Sequence, residues 1–102
     1  MEEKIILNNG NGMPMIGYGV YQIPPSVTQR CVEEALDTGY KLIDTAQCYG
    51  NETQVGRAFK NSGIKREELF ITTKIWVTKR YNDTVHSIQK SLDRLDTYID
   101  LL

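Results

Sequence analysis

Apolar runs alternate with amphipathic segments along the chain. Four runs have the length and composition of strands, at residues 16–21, 42–44, 69–73 and 98–102. Between them, apolar residues recur every three to four positions, which predicts helices over residues 27–38, 52–61 and 83–94. On the third helix, the expected apolar face consists of Val85, Ile88, Leu92 and Leu95. The order β-α-β-α-β-α-β calls for parallel strands with right-handed crossovers, and so for an α/β fold.

Turn and cap residues support these boundaries. An Asn-Gly turn inside residues 5–15 predicts a β-hairpin, which we expect to lie as a lid or plug against a larger body. Ser26 is a suitable N-cap for the first helix, and Gly39 stands where that helix is expected to end. Gly17 and Gly19 do not form a GxGxxG pattern, so no Rossmann fingerprint is present.

The length of 102 residues bounds the architecture. An open doubly wound sheet and a (β/α)8 barrel both fit the strand and helix order. A barrel takes about 250 residues, so this chain could supply only its first half. The chain stops inside its fourth apolar strand. We therefore expect residues 1–102 to be a fragment of a longer protein, in preference to a complete small α/β domain.

Charge and cysteine content exclude several classes of function. The net charge is −1 with no basic run, which argues against a nucleic-acid-binding protein. No run approaches the roughly 18 apolar residues of a membrane span, and the N-terminus lacks the apolar region of a signal peptide. Cys31 and Cys48 lack CxxC spacing, so we expect a reducing, cytoplasmic setting without disulfides. We expect no metal site.

Candidate chemistry lies where the predicted strands end. Asp44 ends the second strand, Lys74 ends the third, and Tyr49 stands in the loop between them. In a βα fold, that edge of the sheet is where sites are built. A lysine there needs a counter-charge, which Asp44 could supply, and a nearby ammonium favours ionisation of a phenol. Tyr49 is then a candidate general acid. From the pattern alone, a capping role for Asp44 and a solvent-exposed Lys74 stay open.

Several motifs resemble the aldo-keto reductase family. Residues 39–46 read GYKLIDTA and are followed, after five residues, by Glu52 and then by Val55 and Gly56, which is similar to the family's first signature. The family usually has Arg where Lys41 stands, and lysine keeps the charge but loses the planar fork. Residues 8–19, 65–76 and 92–102 resemble its N-terminal hairpin and first strand, its third-strand segment and the lead-in to its fourth strand.

The resemblance implies a (β/α)8 barrel that transfers hydride from NADPH to an aldehyde or ketone. The family's catalytic tetrad is Asp, Tyr, Lys and His, and Asp44, Tyr49 and Lys74 match the first three. Tyr49 would protonate the carbonyl oxygen, while Lys74, paired with Asp44, would stabilise negative charge there. The family's His would lie beyond Leu102. His86 does not match it and is expected on a helix surface.

The resemblance also implies where ligands bind. Gly19, Val20, Tyr21 and Asp44 match positions at the nicotinamide end of the cofactor site. Tyr21, Cys48 and Trp76 match positions that wall the substrate pocket, which would favour a hydrophobic carbonyl substrate.

Two further expectations follow from the resemblance and from the length of the chain. The alternative to an enzyme is a non-catalytic structural or regulatory subunit on the same scaffold. Half a barrel would expose strand edges and apolar surface. We therefore expect the isolated chain to be inactive and to self-associate.

Overall fold

The fold is described from a computed structural model over residues 3–102. The chain begins with an antiparallel hairpin of β1 (Lys4–Ile6) and β2 (Gly12–Pro14). Its turn is closed by a hydrogen bond from the Gly10 N–H to the Leu7 carbonyl, and Gly10 has a φ of 87°. That left-handed conformation costs glycine little, which is why the glycine-containing turn forms here. The hairpin expected within residues 5–15 is therefore present.

A parallel sheet follows the hairpin. It contains β3 (Gly17–Gly19), β4 (Leu42–Asp44) and β5 (Phe70–Thr72) in the order β3-β4-β5. Leu42 pairs with Gly17 on one side and with Phe70 on the other, so the strands lie in register. The predicted α/β class with parallel strands is confirmed.

Three strand predictions differ from the structure. The first predicted strand, over residues 16–21, is shorter and spans only Gly17–Gly19. The third predicted strand, β5, ends at Thr72, so Lys74 lies two residues beyond it. The fourth predicted strand is reduced to a single parallel bridge between Leu101 and Thr72. A side chain interrupts the strand pairing there, because the Asp100 carboxylate accepts the Ile71 N–H at 2.8 Å.

Three helices cover one face of the sheet, namely α1 (Pro25–Thr38), α2 (Glu52–Asn61) and α3 (Tyr81–Leu95). The second has the predicted bounds, and the third begins two residues earlier than predicted. The predicted N-cap Ser26 lies inside the first turn of α1, because Pro25 occupies its first position and Pro24 precedes it. Proline suits that position, since its missing N–H would have no helical partner. Gly39 ends α1 with a φ of 120°.

The core lies between these helices and the sheet. Its buried members come from the loop after β3, from all three helices, from β4 and β5 and from the residue before β5: Val20, Val32, Leu36, Ile43, Val55, Ala58, Phe59, Leu69, Ile71 and Leu95. Val85, predicted to share the apolar face of α3, is exposed, whereas Leu95 on that face is fully buried. Helix α2 packs against both α1 and α3. Within residues 3–102, no helix is long and apolar enough to cross a membrane.

The other face of the sheet borders an open cavity of about 540 Å³. Side chains alternate between the two faces of a strand, so Ile43 and Ile71 enter the core while Leu42 and Thr72 face the cavity. The cavity extends from Met13 in the hairpin to Asp44 and Lys74 at the opposite end of the strands. The carboxyl ends of the strands therefore open onto it.

Candidate active site

The three parallel strands end at one edge of the sheet, where Gly19, Asp44 and Thr72 are in register. Backbone hydrogen bonds continue past the strand ends: the Val20 N–H donates to the Asp44 carbonyl, and the Thr45 N–H donates to the Thr72 carbonyl. The segments that follow the strands are therefore held side by side. Every candidate catalytic residue lies in or next to these segments.

Asp44 and Lys74 form an ion pair at this edge. The Lys74 Nζ lies 2.8 Å from Asp44 Oδ1 and 2.9 Å from Oδ2. It also donates to the Thr45 carbonyl at 3.0 Å. The Thr72 hydroxyl donates to the same carboxylate. Lysine has three donors, and here each has an acceptor, so the ammonium is fixed in position although its side chain is 52% exposed.

The surroundings of Lys74 keep it protonated. Partial burial acts to lower its pKa, because it disfavours the charged form. The hydrogen bonds and negative charge of Asp44 oppose this effect, with a smaller contribution from Tyr49, and the pKa of Lys74 is raised above its ordinary value of 10.5. The side chain is therefore a cation at neutral pH.

Tyr49 lies beside this cation. It ends a short 3-10 helix, Gln47–Tyr49, whose last turn is closed by Gly50 in the left-handed conformation with a φ of 71°. The Lys74 Nζ is 5.2 Å from the centroid of the Tyr49 ring, within the range of a cation–π contact. On another side, the Tyr21 ring packs against Tyr49 with centroids 5.2 Å apart. Asp44, Lys74, Tyr49 and Tyr21 thus form one connected group.

The remaining residues considered in the sequence analysis differ in how exposed they are. The backbone at Gly19 is open, because a Cβ added there would meet no atom within 4 Å. Val20 is fully buried in the core, so only its backbone can contact a ligand. Cys48 is exposed next to Tyr49, and the Trp76 side chain is 65% exposed. His86 is exposed on α3.

A buried asparagine joins two of the loops. Asn51, fully buried, donates from Nδ2 to the Val20 carbonyl at 3.0 Å, and its Oδ1 accepts the Thr45 hydroxyl at 2.8 Å. It therefore ties the loop after β3 to the loop after β4. The sequence pattern did not indicate this role, because an asparagine just before a helix is usually explained as a cap.

A buried glutamate supports the segment that carries Lys74. Glu52 is 1% exposed, and its Oε2 accepts the hydroxyl of Thr73 at 2.7 Å. Its Oε1 accepts from Arg94 Nε at 2.7 Å and from the Ser91 hydroxyl at 3.2 Å. A carboxylate in the first turn of a helix suggests only an interaction with the helix dipole, so these contacts could not be predicted from the sequence. Glu52 links α3 to the residue before Lys74.

Comparisons with a family model, with known protein sequences and with solved structures all match the same family. The model of the Aldo/keto reductase family matches residues 10–102. An aldo-keto reductase of Mycolicibacterium smegmatis is 46% identical over 99% of this chain, and the match covers 38% of that protein. Glycerol 2-dehydrogenase (NADP(+)) of Saccharomyces cerevisiae is 46% identical over 93% of this chain and 30% of its own length. The crystal structure of an aldo/keto reductase from Brucella melitensis superposes with a TM-score of 0.94 at 44% identity, covering all of this chain and 40% of that one.

Proposed function

Since the chain belongs to the aldo/keto reductase family, we propose that it carries the proton-donating part of the active site of an NADP(H)-dependent carbonyl reductase. The observation that carries this proposal is the Asp44–Lys74 ion pair, with the Tyr49 ring 5.2 Å from the Lys74 ammonium. The chain spans 38% of the length of the Mycolicibacterium relative that it matches. The activity of a whole enzyme is therefore part of the proposal.

In this proposal, Tyr49 is the general acid. Its phenol donates a hydrogen bond to the carbonyl oxygen of the substrate and then the proton, as the carbonyl carbon is reduced. Negative charge develops on that oxygen during the step, and a fixed cation next to the phenol stabilises it. The three donors of Lys74 are taken by Asp44 and Thr45. Lys74 would therefore act on Tyr49 through its charge, and Asp44 would hold that charge in place.

The cofactor would bind where the first two parallel strands end. Gly19 leaves its backbone open to a flat ring, the Tyr21 side chain is 65% exposed, and Asp44 points to the same edge. The buried Val20 would contribute backbone only. These residues fit the nicotinamide end of NADP(H), which when bound supplies the hydride. The choice of NADP(H) draws support from the yeast relative, which is named an NADP(+) enzyme.

The substrate would be a small carbonyl compound with a hydrophobic substituent. Tyr21 and Trp76 are both exposed by 65%, and Cys48 is exposed beside Tyr49. Aromatic and thiol side chains at a pocket favour apolar ligands.

We expect no nucleic-acid or membrane partner, and we expect a cytoplasmic protein.

The fold of the whole protein would be a (β/α)8 barrel whose first strands are β3, β4 and β5. The cavity on the open face of the sheet, lined by Leu42, Thr72 and Leu101, would then be part of the barrel interior. Helices α1, α2 and α3 would belong to its outer ring.

The test is an NADPH-oxidation assay, followed at 340 nm with an aromatic aldehyde, on a protein that contains this chain and the remainder of the barrel. Replacing the proposed general acid by Tyr49→Phe should lower kcat by about 100-fold or more. The matched control is Tyr40→Phe, because Tyr40 packs against Tyr18 and not against Tyr49 or Lys74. NADPH binding, measured by fluorescence, should survive both changes.

Three outcomes would contradict the proposal. A Tyr49→Phe variant with kcat within twofold of the parent would remove Tyr49 as the acid. A protein that binds NADPH but reduces no aldehyde or ketone would support the non-catalytic alternative. Loss of activity in Tyr40→Phe equal to that in Tyr49→Phe would show that the loss is not specific to Tyr49 and would remove the support for Tyr49 as the acid.

A further inference from the structure

One glutamine side chain connects the loop after β4 to two other parts of the chain. Gln47 Oε1 accepts the backbone N–H of Trp76 at 2.9 Å. Its Nε2 donates to the Ser87 carbonyl and to the Ser91 hydroxyl, each at 3.1 Å. The residue is half-buried and lies two positions before Tyr49. One amide group therefore bridges the segment after β5 and helix α3.

The segment that receives this contact has few other attachments. Strand β5 ends at Thr72, and its backbone pairing with residue 101 ends at Thr73. Beyond that point, the Gln47 N–H donates to the Lys74 carbonyl at 3.1 Å, and the Gln47 side chain takes the Trp76 N–H. Gln47 thus holds residues 74–76 at two places, one through its backbone and one through its side chain.

We propose that Gln47 is a positioning residue that sets the conformation of Trp76 and thereby the shape of the substrate pocket. The side-chain contact reaches Trp76, whereas the position of Lys74 depends on the backbone of Gln47 and on Asp44. A substitution at Gln47 should consequently affect binding of the carbonyl substrate more than the proton-transfer step. The pocket part of this inference rests on the proposed function, but the contact with Trp76 does not.

The side-chain amide supplies both functions that the position uses. The carbonyl oxygen accepts from Trp76, and the NH₂ donates to Ser87 and Ser91. A carboxylate keeps the acceptor and loses the donors. A thioether of similar length loses both. Gln47→Glu and Gln47→Met therefore separate the Trp76 contact from the contacts to α3.

The first experiment measures amide hydrogen exchange by NMR on the 102-residue chain, at two protein concentrations so that any effect of self-association on the exchange rates is detected. Gln47→Met should speed the exchange of the Trp76 amide by about threefold to tenfold, the range expected for one modest hydrogen bond. Gln47→Glu should leave it within about twofold of the parent. The Ile43 amide, in the central strand, reports general destabilisation, and its exchange should not follow that of Trp76.

The matched control is Gln89→Met. Gln89 is exposed on α3 and makes one side-chain hydrogen bond, to Asp93 at 3.0 Å on the same helix. It should leave the Trp76 amide unchanged. Trp76 is the chain's one tryptophan, so its fluorescence anisotropy gives a second readout, which should fall in Gln47→Met alone. Unchanged exchange and anisotropy in Gln47→Met would overturn the proposal, as would an equal change in Gln89→Met.

The second experiment uses the intact reductase. Gln47→Met should raise KM for an aromatic aldehyde severalfold while kcat stays within about twofold. An unchanged KM, or a loss of kcat as large as the rise in KM, would overturn the role in the pocket. If the parent protein reduces no carbonyl compound, the proposed function fails, and the exchange result still decides whether Gln47 positions Trp76.

Discussion

Replacing Glu52 by leucine should destabilise the fold more than any change to a surface ion pair. Glu52 is 1% exposed and accepts hydrogen bonds from Thr73, Ser91 and Arg94. Leucine has a similar size but no acceptor. The substitution would leave these donors without the carboxylate that they share, beneath the segment that carries Lys74.

The magnitude depends on how well water can reach each donor. Thr73 and Ser91 are 2% and 0% exposed, so each hydroxyl that loses its acceptor costs about 1–3 kcal/mol. Ser91 still accepts a hydrogen bond from Gln47, but its own hydroxyl proton loses its acceptor. The Arg94 side chain is 39% exposed, so its charge can be hydrated, and its contribution is discounted. The sum is about 3 kcal/mol, toward the low end of the range for breaking a buried ion pair.

The assay is urea unfolding of the chain followed by circular dichroism at 222 nm. Two protein concentrations, tenfold apart, would reveal self-association as a shift in the midpoint. Glu52→Gln, which keeps one acceptor, should cost about half as much as Glu52→Leu. The control is Lys60→Met, which removes an ion pair with Asp96 whose side chains are 54% and 74% exposed and which should therefore cost at most about 1 kcal/mol. A loss below 1 kcal/mol in Glu52→Leu would refute the reasoning.

Three further predictions concern other parts of the molecule. The pKa of Lys74 is raised in the folded state, so its ion pair with Asp44 should stabilise the fold fully below about pH 10.5. This stabilisation should be lost as the pH rises through the raised pKa. The difference in unfolding free energy between the parent and Lys74→Met, measured from pH 7 to 12, should therefore vanish only at the alkaline end. Gly56→Ala should cost about 1–3 kcal/mol in thermal unfolding, because its Cβ would clash with the Leu95 carbonyl oxygen. Arg57→Ala, at an exposed position of the same helix, should cost less than about 0.5 kcal/mol. The 102-residue chain alone should oxidise no NADPH with an aromatic aldehyde, because it covers only 38% of the length of the Mycolicibacterium relative that it matches. It should also self-associate in sedimentation velocity through exposed apolar side chains. Turnover at the rate of an intact reductase, or a strictly monomeric chain, would contradict these expectations.

The elements of the fold could be predicted because they follow local periodicity. Helix α2 has the predicted bounds, since its apolar residues Val55 and Phe59 repeat at helical spacing and both are buried. The strand predicted at residues 98–102 is reduced to one bridge, because the Asp100 carboxylate accepts the Ile71 N–H that a backbone carbonyl would accept in a strand. The spacing of apolar residues does not show where a side chain takes the place of a backbone hydrogen-bond acceptor.

The candidate site could be predicted only in part. Asp44 and Lys74 are 30 residues apart, yet parallel strands bring their ends to one edge, so topology indicates the pair. The same topology brings Gln47, after β4, near Trp76, after β5, but it does not indicate the hydrogen bond between them. No such rule relates Glu52 to Arg94, 42 residues away. These contacts depend on where a helix and a loop come to lie in three dimensions, and the same residue types commonly occur on helix surfaces.

The start of α2 explains how loops can carry a precise site. The three strands are only three residues long, so the ladder ends before Tyr49 and Lys74 are reached. Beyond the strands, Asn51 and Glu52 hold the loops in place. Asn51 joins the loop after β4 to the loop after β3, and Glu52 joins Thr73 to α3. Both are buried and hydrogen-bonded, whereas the ion pair that they support is partly exposed. The side chains that we propose to contact the ligand are thus accessible to it, while their geometry depends on buried residues behind them. Changes at Asn51 or Glu52 should therefore alter stability and alignment together, and changes at Lys74 should mainly alter charge.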